Sequence, residues 1–201
     1  AATAAGGLFG FLCDFTITNS MMDYNTSEIG AAFYFFDGTQ SVTSTNIENN
    51  VASLAYGAGV ATSYTDYIVA DFDDTVVSGN SAGEEGAGVA LAAGDFTWTG
   101  TTGSGGSGIW DNTAGDDGGG LVLDSANFTA TLVDFGTSAD GTDNSPYDVF
   151  AYTNDGEIGY WAGDDASFEC DEDGCGSATT TTAGGSFKTK TSLTDSYSKV
   201  S

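Results

Sequence analysis

Asn80-Ser-Ala-Gly-Glu-Glu-Gly-Ala-Gly-Val89 and Asn112-Thr-Ala-Gly-Asp-Asp-Gly-Gly-Gly-Leu121 are two copies of one pattern. Each has an asparagine, an alanine two places on, an acidic pair, three small residues and then an apolar one. Looser copies stand at Asn50-Val-Ala-Ser-Leu-Ala-Tyr-Gly-Ala-Gly-Val60 and Asn25-Thr-Ser-Glu-Ile-Gly-Ala-Ala-Phe33. The small-residue turn Ala5-Gly6-Gly7-Leu8 opens the series, and Asn144-Ser145-Pro146 closes it. The apolar markers Leu8, Phe33, Val60, Val89 and Leu121 are spaced by 25, 27, 29 and 32 residues. The markers Asn25, Asn50, Asn80, Asn112 and Asn144 are spaced by 25, 30, 32 and 32. Two independent markers lengthen together, as loop insertions in a repeating coil make them do.

Between the markers the sequence alternates with period two. A first strand follows each small triplet, as in Leu8-Phe-Gly-Phe11, Phe33-Tyr-Phe-Phe36, Val60-Ala-Thr-Ser63, Val89-Ala-Leu-Ala92 and Leu121-Val-Leu-Asp124. A second comes within about ten residues, as in Phe15-Thr-Ile-Thr18, Val42-Thr-Ser-Thr45, Phe96-Thr-Trp-Thr99 and Phe128-Thr-Ala-Thr131. Thr outside and Phe, Ile or Trp inside is the mark of a half-buried strand. In the third unit the matching strand is expected at Thr75-Val-Val-Ser78, displaced by an insertion over residues 64–74.

One coil of this length cannot bury its own inner face. Neighbours stacked ~4.8 Å away can cover it and take its backbone hydrogen bonds. The expected fold is therefore all-β: a right-handed parallel β-helix (solenoid) of about five coils, with a C-terminal β cap and a tail. Gly suits the corners because it takes positive φ without steric cost, and Asn tolerates the same region. Asn25, Asn50, Asn80, Asn112 and Asn144 are then expected to stack as a ladder of side-chain amides at one corner.

The Asn-x-Ala element followed by Gly-Gly-Gly or Gly-Ala-Gly and an apolar pair, with Phe-led strands between, resembles bacterial right-handed parallel β-helix surface proteins. It is similar to the polymorphic outer-membrane, autotransporter-like repeats and to related secreted β-helix proteins, over roughly residues 5–150. That resemblance implies a scaffold fold displayed outside the cell.

The organisation expected is coils over 1–145, a cap over 146–176 and a Thr/Ser/Lys tail over 177–201. In the cap, Cys170-Asp-Glu-Asp-Gly-Cys175 carries an Asp-Gly step that can bring the two β-carbons together. A Cys170–Cys175 disulfide is expected, which places the protein in an oxidising compartment, extracellular or at the cell surface. Cys13 is expected as a small buried thiol in a strand. In the tail, the alternation of Ser186-Phe-Lys-Thr-Lys-Thr-Ser-Leu-Thr194 suits a strand donated to a neighbour, with Phe187, Lys188, Lys190 and Leu193 as the assembling residues. Its lysines would meet an acidic body, and such head-to-tail contacts build filaments.

Charge narrows the function further. There are 29 Asp plus Glu against 3 Lys plus Arg, a net −26, and no His. No basic patch is present to neutralise phosphates, so nucleic acid is excluded as a partner. No apolar run reaches the ~18 residues of a membrane span. Without Arg or His in the coils, lyase chemistry has no base. Glu84-Glu85 and Asp116-Asp117 recur at one turn position and read as corner residues, so no catalytic residue is assigned and no enzyme is expected. Acidic loops at Asp71/Asp73/Asp74, and above all at Asp164, Asp165, Glu169, Asp171 and Asp173, have the oxygen ligands that Ca²⁺ takes. Flat Thr ranks could bind ice or carbohydrate, but the uneven loops argue against their alignment. Two readings stand: a non-enzymatic extracellular subunit that self-assembles into a filament or surface layer as a homopolymer, and an adhesin or glycan-binding module of the cell surface.

Overall fold

The computed structural model describes residues 5–54, 56–63, 68–100, 107–136 and 141–152 in full. It also describes the backbone of strands at 157–161, 170–171, 177–181 and 187–189. Among the described residues there is no helix, and the fold is a parallel β-solenoid.

The first coil runs β1 (Leu8–Gly10), β2 (Phe15–Thr18), β3 (Met21–Asp23) and β4 (Thr26–Ser27). The second runs β5 (Phe33–Phe35), β6 (Gly38–Thr43), β7 (Asn46–Glu48) and β8 (Val51–Ala52). The third runs β9 (Val60–Thr62), β10 (Ile68–Asp73), β11 (Val76–Ser78) and β12 (Ser81–Ala82). In the fourth, β13 (Val89–Thr99) serves two faces, followed by β14 (Gly108–Trp110) and β15 (Thr113–Ala114). These four turns carry strands on all four faces. A fifth level consists of β16 (Leu121–Asp134) and the bridge from Thr113 to Ser145.

Each strand lies in parallel register on its counterpart one coil away, for example Leu8 on Phe33 and Phe33 on Val60. Past Pro146 the pairing stays parallel. β17 (Val149–Ala151) lies on β16, β18 (Glu157–Trp161) lies further along β16, β19 (Cys170–Asp171) lies on β17, and β20 (Ser177–Thr181) lies on β18. Among the described strands only β21 (Phe187–Thr189) reverses, pairing antiparallel with β20 of the same chain.

Two expectations need correction. The second-face strand of coil three is Ile68–Asp73, whose inward residues Ile68, Ala70 and Phe72 are buried. Val76–Ser78 belongs to a third face, on Asn46–Glu48. Six residues alternating apolar and polar fit the second face, so the insertion is shorter than residues 64–74. The separate strands expected at 89–92 and 96–99, and again at 121–124 and 128–131, are continuous. Ala93 (φ 51°) and Ser125 (φ 57°) kink them at one shared position.

Interior volumes compensate between columns, as dense packing requires. Along one column Val42, Phe72, Trp98 and Ala130 are in register; along the next run Gln40, Ala70, Phe96 and Phe128. Large Phe72 and Trp98 flank small Ala70, and large Phe128 sits beside small Ala130. Trp98 is 1% exposed and stacks on Phe72 with ring centroids 4.6 Å apart. Its indole N–H donates to Ser107 Oγ at 3.1 Å, and that hydroxyl donates to the Thr75 carbonyl at 3.0 Å.

The repeated motif is explained at the narrow edge. Ala52, Ala82 and Ala114 pack in one buried cluster with Ala31, Ala58 and Ala87. The Ala of Asn-x-Ala thus packs with the middle alanines of the small triplets, and the buried Ser27 takes its place in the first coil, in register with Ala52.

Candidate functional surfaces

The asparagines form a continuous row of side chains. Asn25 Nδ2 donates to Asn50 Oδ1 at 2.9 Å, Asn50 to Asn80 at 2.9 Å, Asn80 to Asn112 at 2.9 Å and Asn112 to Asn144 at 3.0 Å. Each acceptor oxygen also takes the backbone N–H of the asparagine one coil back. The second amide hydrogen of Asn50, Asn80 and Asn112 reaches a carbonyl one coil back, Met22, Ile47 and Val77 respectively, at 3.0 Å. At this corner the left-handed residue is the one before the asparagine: Tyr24, Asn49, Gly79 and Asp111, with φ between 53° and 63°. That bend turns the asparagine side chain inward, where Asn50, Asn80 and Asn112 are all but fully buried. The ladder is internal and structural, and the Asn25 amide is committed to it.

On the outside of the second face, hydroxyls and carboxylates are aligned. Thr16, Ser41, Asp71, Thr97 and Thr129 share one register row, and Thr18, Thr43, Asp73, Thr99 and Thr131 share another. The uneven loops do not disturb this alignment, because the additional residues lie between strands. Ala93 and Ser125 also keep both halves of β13 and β16 in step. Thr97 Oγ1 donates to Asp71 Oδ1, and Asn127 Nδ2 donates to Asp95 Oδ1 at 2.8 Å, so polar contacts run along the rows. The product is a flat polar face that can offer hydroxyl and carboxylate oxygens at a regular ~4.8 Å step.

The first face carries a cluster that the sequence did not disclose. The Tyr152 hydroxyl donates to Glu85 Oε1 at 3.3 Å across 67 residues of chain. Burial pushes the Glu85 carboxyl above its usual range. The Tyr152 hydrogen bond counters this, while the charges of Asp117, Glu84 and Asp116 add to it. Burial likewise raises the Tyr152 phenol, with the Glu85 charge and hydrogen bond next, to about 12. Tyr56 is raised by burial and by Glu84, Glu85 and Asp124. Stacking explains the crowding: the Asp116 N–H donates to the Glu84 carbonyl at 2.8 Å, so each acidic pair lies over the next. The signal was present as the repeated acidic pair, but the tyrosines come from other coils. Such a cluster retains a proton on Glu85 to higher pH than an isolated glutamate does.

Cys13 is exposed, not buried, and lies in the turn between β1 and β2. Standing between β1 and β2, it is outside the period-two alternation that buries a strand residue. Asp71 and Asp73 face outward on the polar face, and no group of three potential metal ligands converges among the described residues. The expected metal residues Asp164, Asp165, Glu169 and Asp173, together with Cys175, Lys190 and Leu193, lie outside the described residues. Cys170, Asp171, Phe187 and Lys188 are described by their backbones alone. Among the described residues no helix is long and apolar enough to cross a membrane.

A scan against family models, a search of curated proteins and a search of solved structures each return no match.

Proposed function

We propose that this chain is a non-enzymatic structural subunit of the extracellular or cell-surface space, assembling into a filament or layer through its solenoid ends. The observation that carries the reading is the edge of the first coil. β1, β2, β3 and β4 each pair with the second coil and with no other strand among the described residues. Leu8, Phe15, Ile17 and Met22, which continue the core at that edge, are only partly buried. A strand edge with no partner among the described residues, over part-exposed core residues, is a template for another strand. Addition there, by stacking or by a donated C-terminal strand, would extend both the ladder hydrogen bonds and the core. Self-repulsion at −26 makes such assembly dependent on salt or divalent cations. Negative-stain imaging of purified chain across salt concentrations tests this: polymers with an axial repeat are expected, and a monodisperse monomer under every condition would sink it.

The second reading, a glycan-binding module, is favoured by one observation, the aligned Thr/Ser/Asp rows of the second face. Binding to a panel of neutral polysaccharides, lost on replacing Thr97 and Thr129 with bulky residues, is its test.

A further inference from the structure

One register row of the first face changes character along the stack, exposed at Phe9, part-buried at Tyr34 and buried at Ala61, Ala90 and Val122. One step outside the strands, Phe11 and Phe36 occupy the places held in later coils by Ser63 and Ala92. The later coils fold with Ala and Ser there, so the aromatic rings of the first two coils are not needed to form a strand. They are nevertheless organised: Phe9 stacks on Phe11 at 6.3 Å and on Tyr34 at 5.8 Å, and Phe11 meets Phe36 at 5.5 Å. Phe9, Phe11 and Leu12 are 47%, 55% and 63% exposed. An apolar patch of this kind on an otherwise acidic surface marks a contact site.

Its border is acidic. Asp14 and Asp37 follow the patch residues in coils one and two, and their carboxylates accept from the Thr39 and Gly38 N–H groups at 2.7 and 2.6 Å. The chain's cations are all elsewhere: Lys188, Lys190 and Lys199 lie within the last 14 residues, alternating with or near Phe187, Leu193 and Tyr197. Phe187 and Lys188 fall in β21, which pairs with β20 at the opposite end of the stack from the patch, and Lys190, Leu193, Tyr197 and Lys199 lie outside the described residues.

We propose that the Phe9/Phe11/Tyr34/Phe36 patch is the docking surface for the lysine-bearing C-terminal segment of a second copy of this chain. Lysine stems cover the ring faces and their ammonium groups lie over the rings or reach Asp14 and Asp37, while Phe187 and Leu193 extend the apolar contact. Patch at one end and β21 at the other give a contact that does not close on itself, hence an open polymer. This docking rests on the reading of the chain as a self-assembling subunit.

The test is fluorescence anisotropy of a labelled peptide of residues 184–201 titrated with the full-length chain. Saturable binding is expected, weakened by salt. It should fall roughly tenfold or more in Phe9→Ser/Phe11→Ser, and in a peptide with its three lysines changed to glutamate. Leu54→Ser, an exposed apolar residue elsewhere, should leave it unchanged. No peptide binding, or equal binding by the Phe9→Ser/Phe11→Ser chain, overturns the proposal. So does binding of phosphatidylcholine vesicles at the patch in place of the peptide. If the double variant loses its strand signal by circular dichroism, Phe11→Ser alone must still weaken binding severalfold, or the proposal falls. Polymers without peptide binding would reject this docking and leave the structural reading in place; peptide binding by a chain that never polymerises would do the reverse.

Discussion

Asn112 Oδ1 accepts two hydrogen bonds from Asn80, one from its side-chain amide at 2.9 Å and one from its backbone N–H at 3.1 Å. Asn80 does the same for Asn50, so each ladder residue holds the coil before it.

Replacing Asn80 with Ala should therefore strand buried groups on the coil before it, the amide and N–H of Asn50 and the Ile47 carbonyl, and leave the Asn112 oxygen with only the backbone N–H of residue 80. A loss of roughly 3–4 kcal/mol is expected, since buried polar groups left unpaired cost more than the bond itself. Asn25→Ala, at the part-exposed end of the row, should cost about 1 kcal/mol or less. Urea unfolding midpoints of the two variants check the ordering.

Ser107→Ala should be costly for its size. It leaves the buried Trp98 indole N–H and the Thr75 carbonyl without the hydroxyl that joins them, for about 1–3 kcal/mol. Trp98→Ala removes the indole as well and opens a cavity beside Phe72, for roughly 3–5 kcal/mol. Chemical denaturation monitored by circular dichroism separates the two magnitudes.

Left-handed corners make a pair of opposite predictions. Gly118 sits at φ 55°, and a Cβ there would meet Val122 Cγ2 at 2.5 Å and Phe150 Cβ at 3.0 Å. Gly118→Ala should destabilise by about 2–3 kcal/mol. Tyr24 has φ 53° and is 76% exposed, so its side chain contributes little packing while its backbone is strained. Tyr24→Asn should raise stability by up to about 1 kcal/mol, because Asn enters this region more readily. Thermal midpoints moving in the same direction for both would refute the argument.

The Glu85 shift has a defined sign. Its folded value lies above the ordinary one, so the folded state binds the proton more tightly than the unfolded state. Its unfavourable contribution is present in full above the folded value. It is relieved as pH falls through that value towards the ordinary glutamate range. Stability should thus rise over this window on acidification, and Glu85→Gln should flatten that part of the profile. A variant whose melting temperature retains the wild-type slope there would show that another group is responsible.

The stacking direction, the ladder positions and the outward threonines were legible because each depends on one coil's period-two pattern or on a marker repeated in every coil. What could not be read required knowledge of which residues share a level. The third face was missed since Met21–Asp23 and Asn46–Glu48 are three-residue strands without a recurring residue type. Ile68–Asp73 was passed over because Asp71 and Asp73 look like loop acids until Thr97 and Thr99 are seen beside them. The Glu85–Tyr152 contact joins coils whose separation no local pattern encodes. Cys13 was expected inside by residue type, but it falls in the turn between β1 and β2, outside the alternation that buries a strand residue.

The kept register across uneven coils has a further consequence. Coil length grows along the chain, yet Thr99 still lies level with Asp73 and Gly108 with Val76. Additional residues between Thr99 and Gly108 leave the strands on either side in place. A peptide or small domain grafted there would be carried at a fixed height on the rod, and a polymer of such chains would repeat it at every subunit. Each junction of this kind is a mounting point, and the stack beneath it sets the spacing between guests.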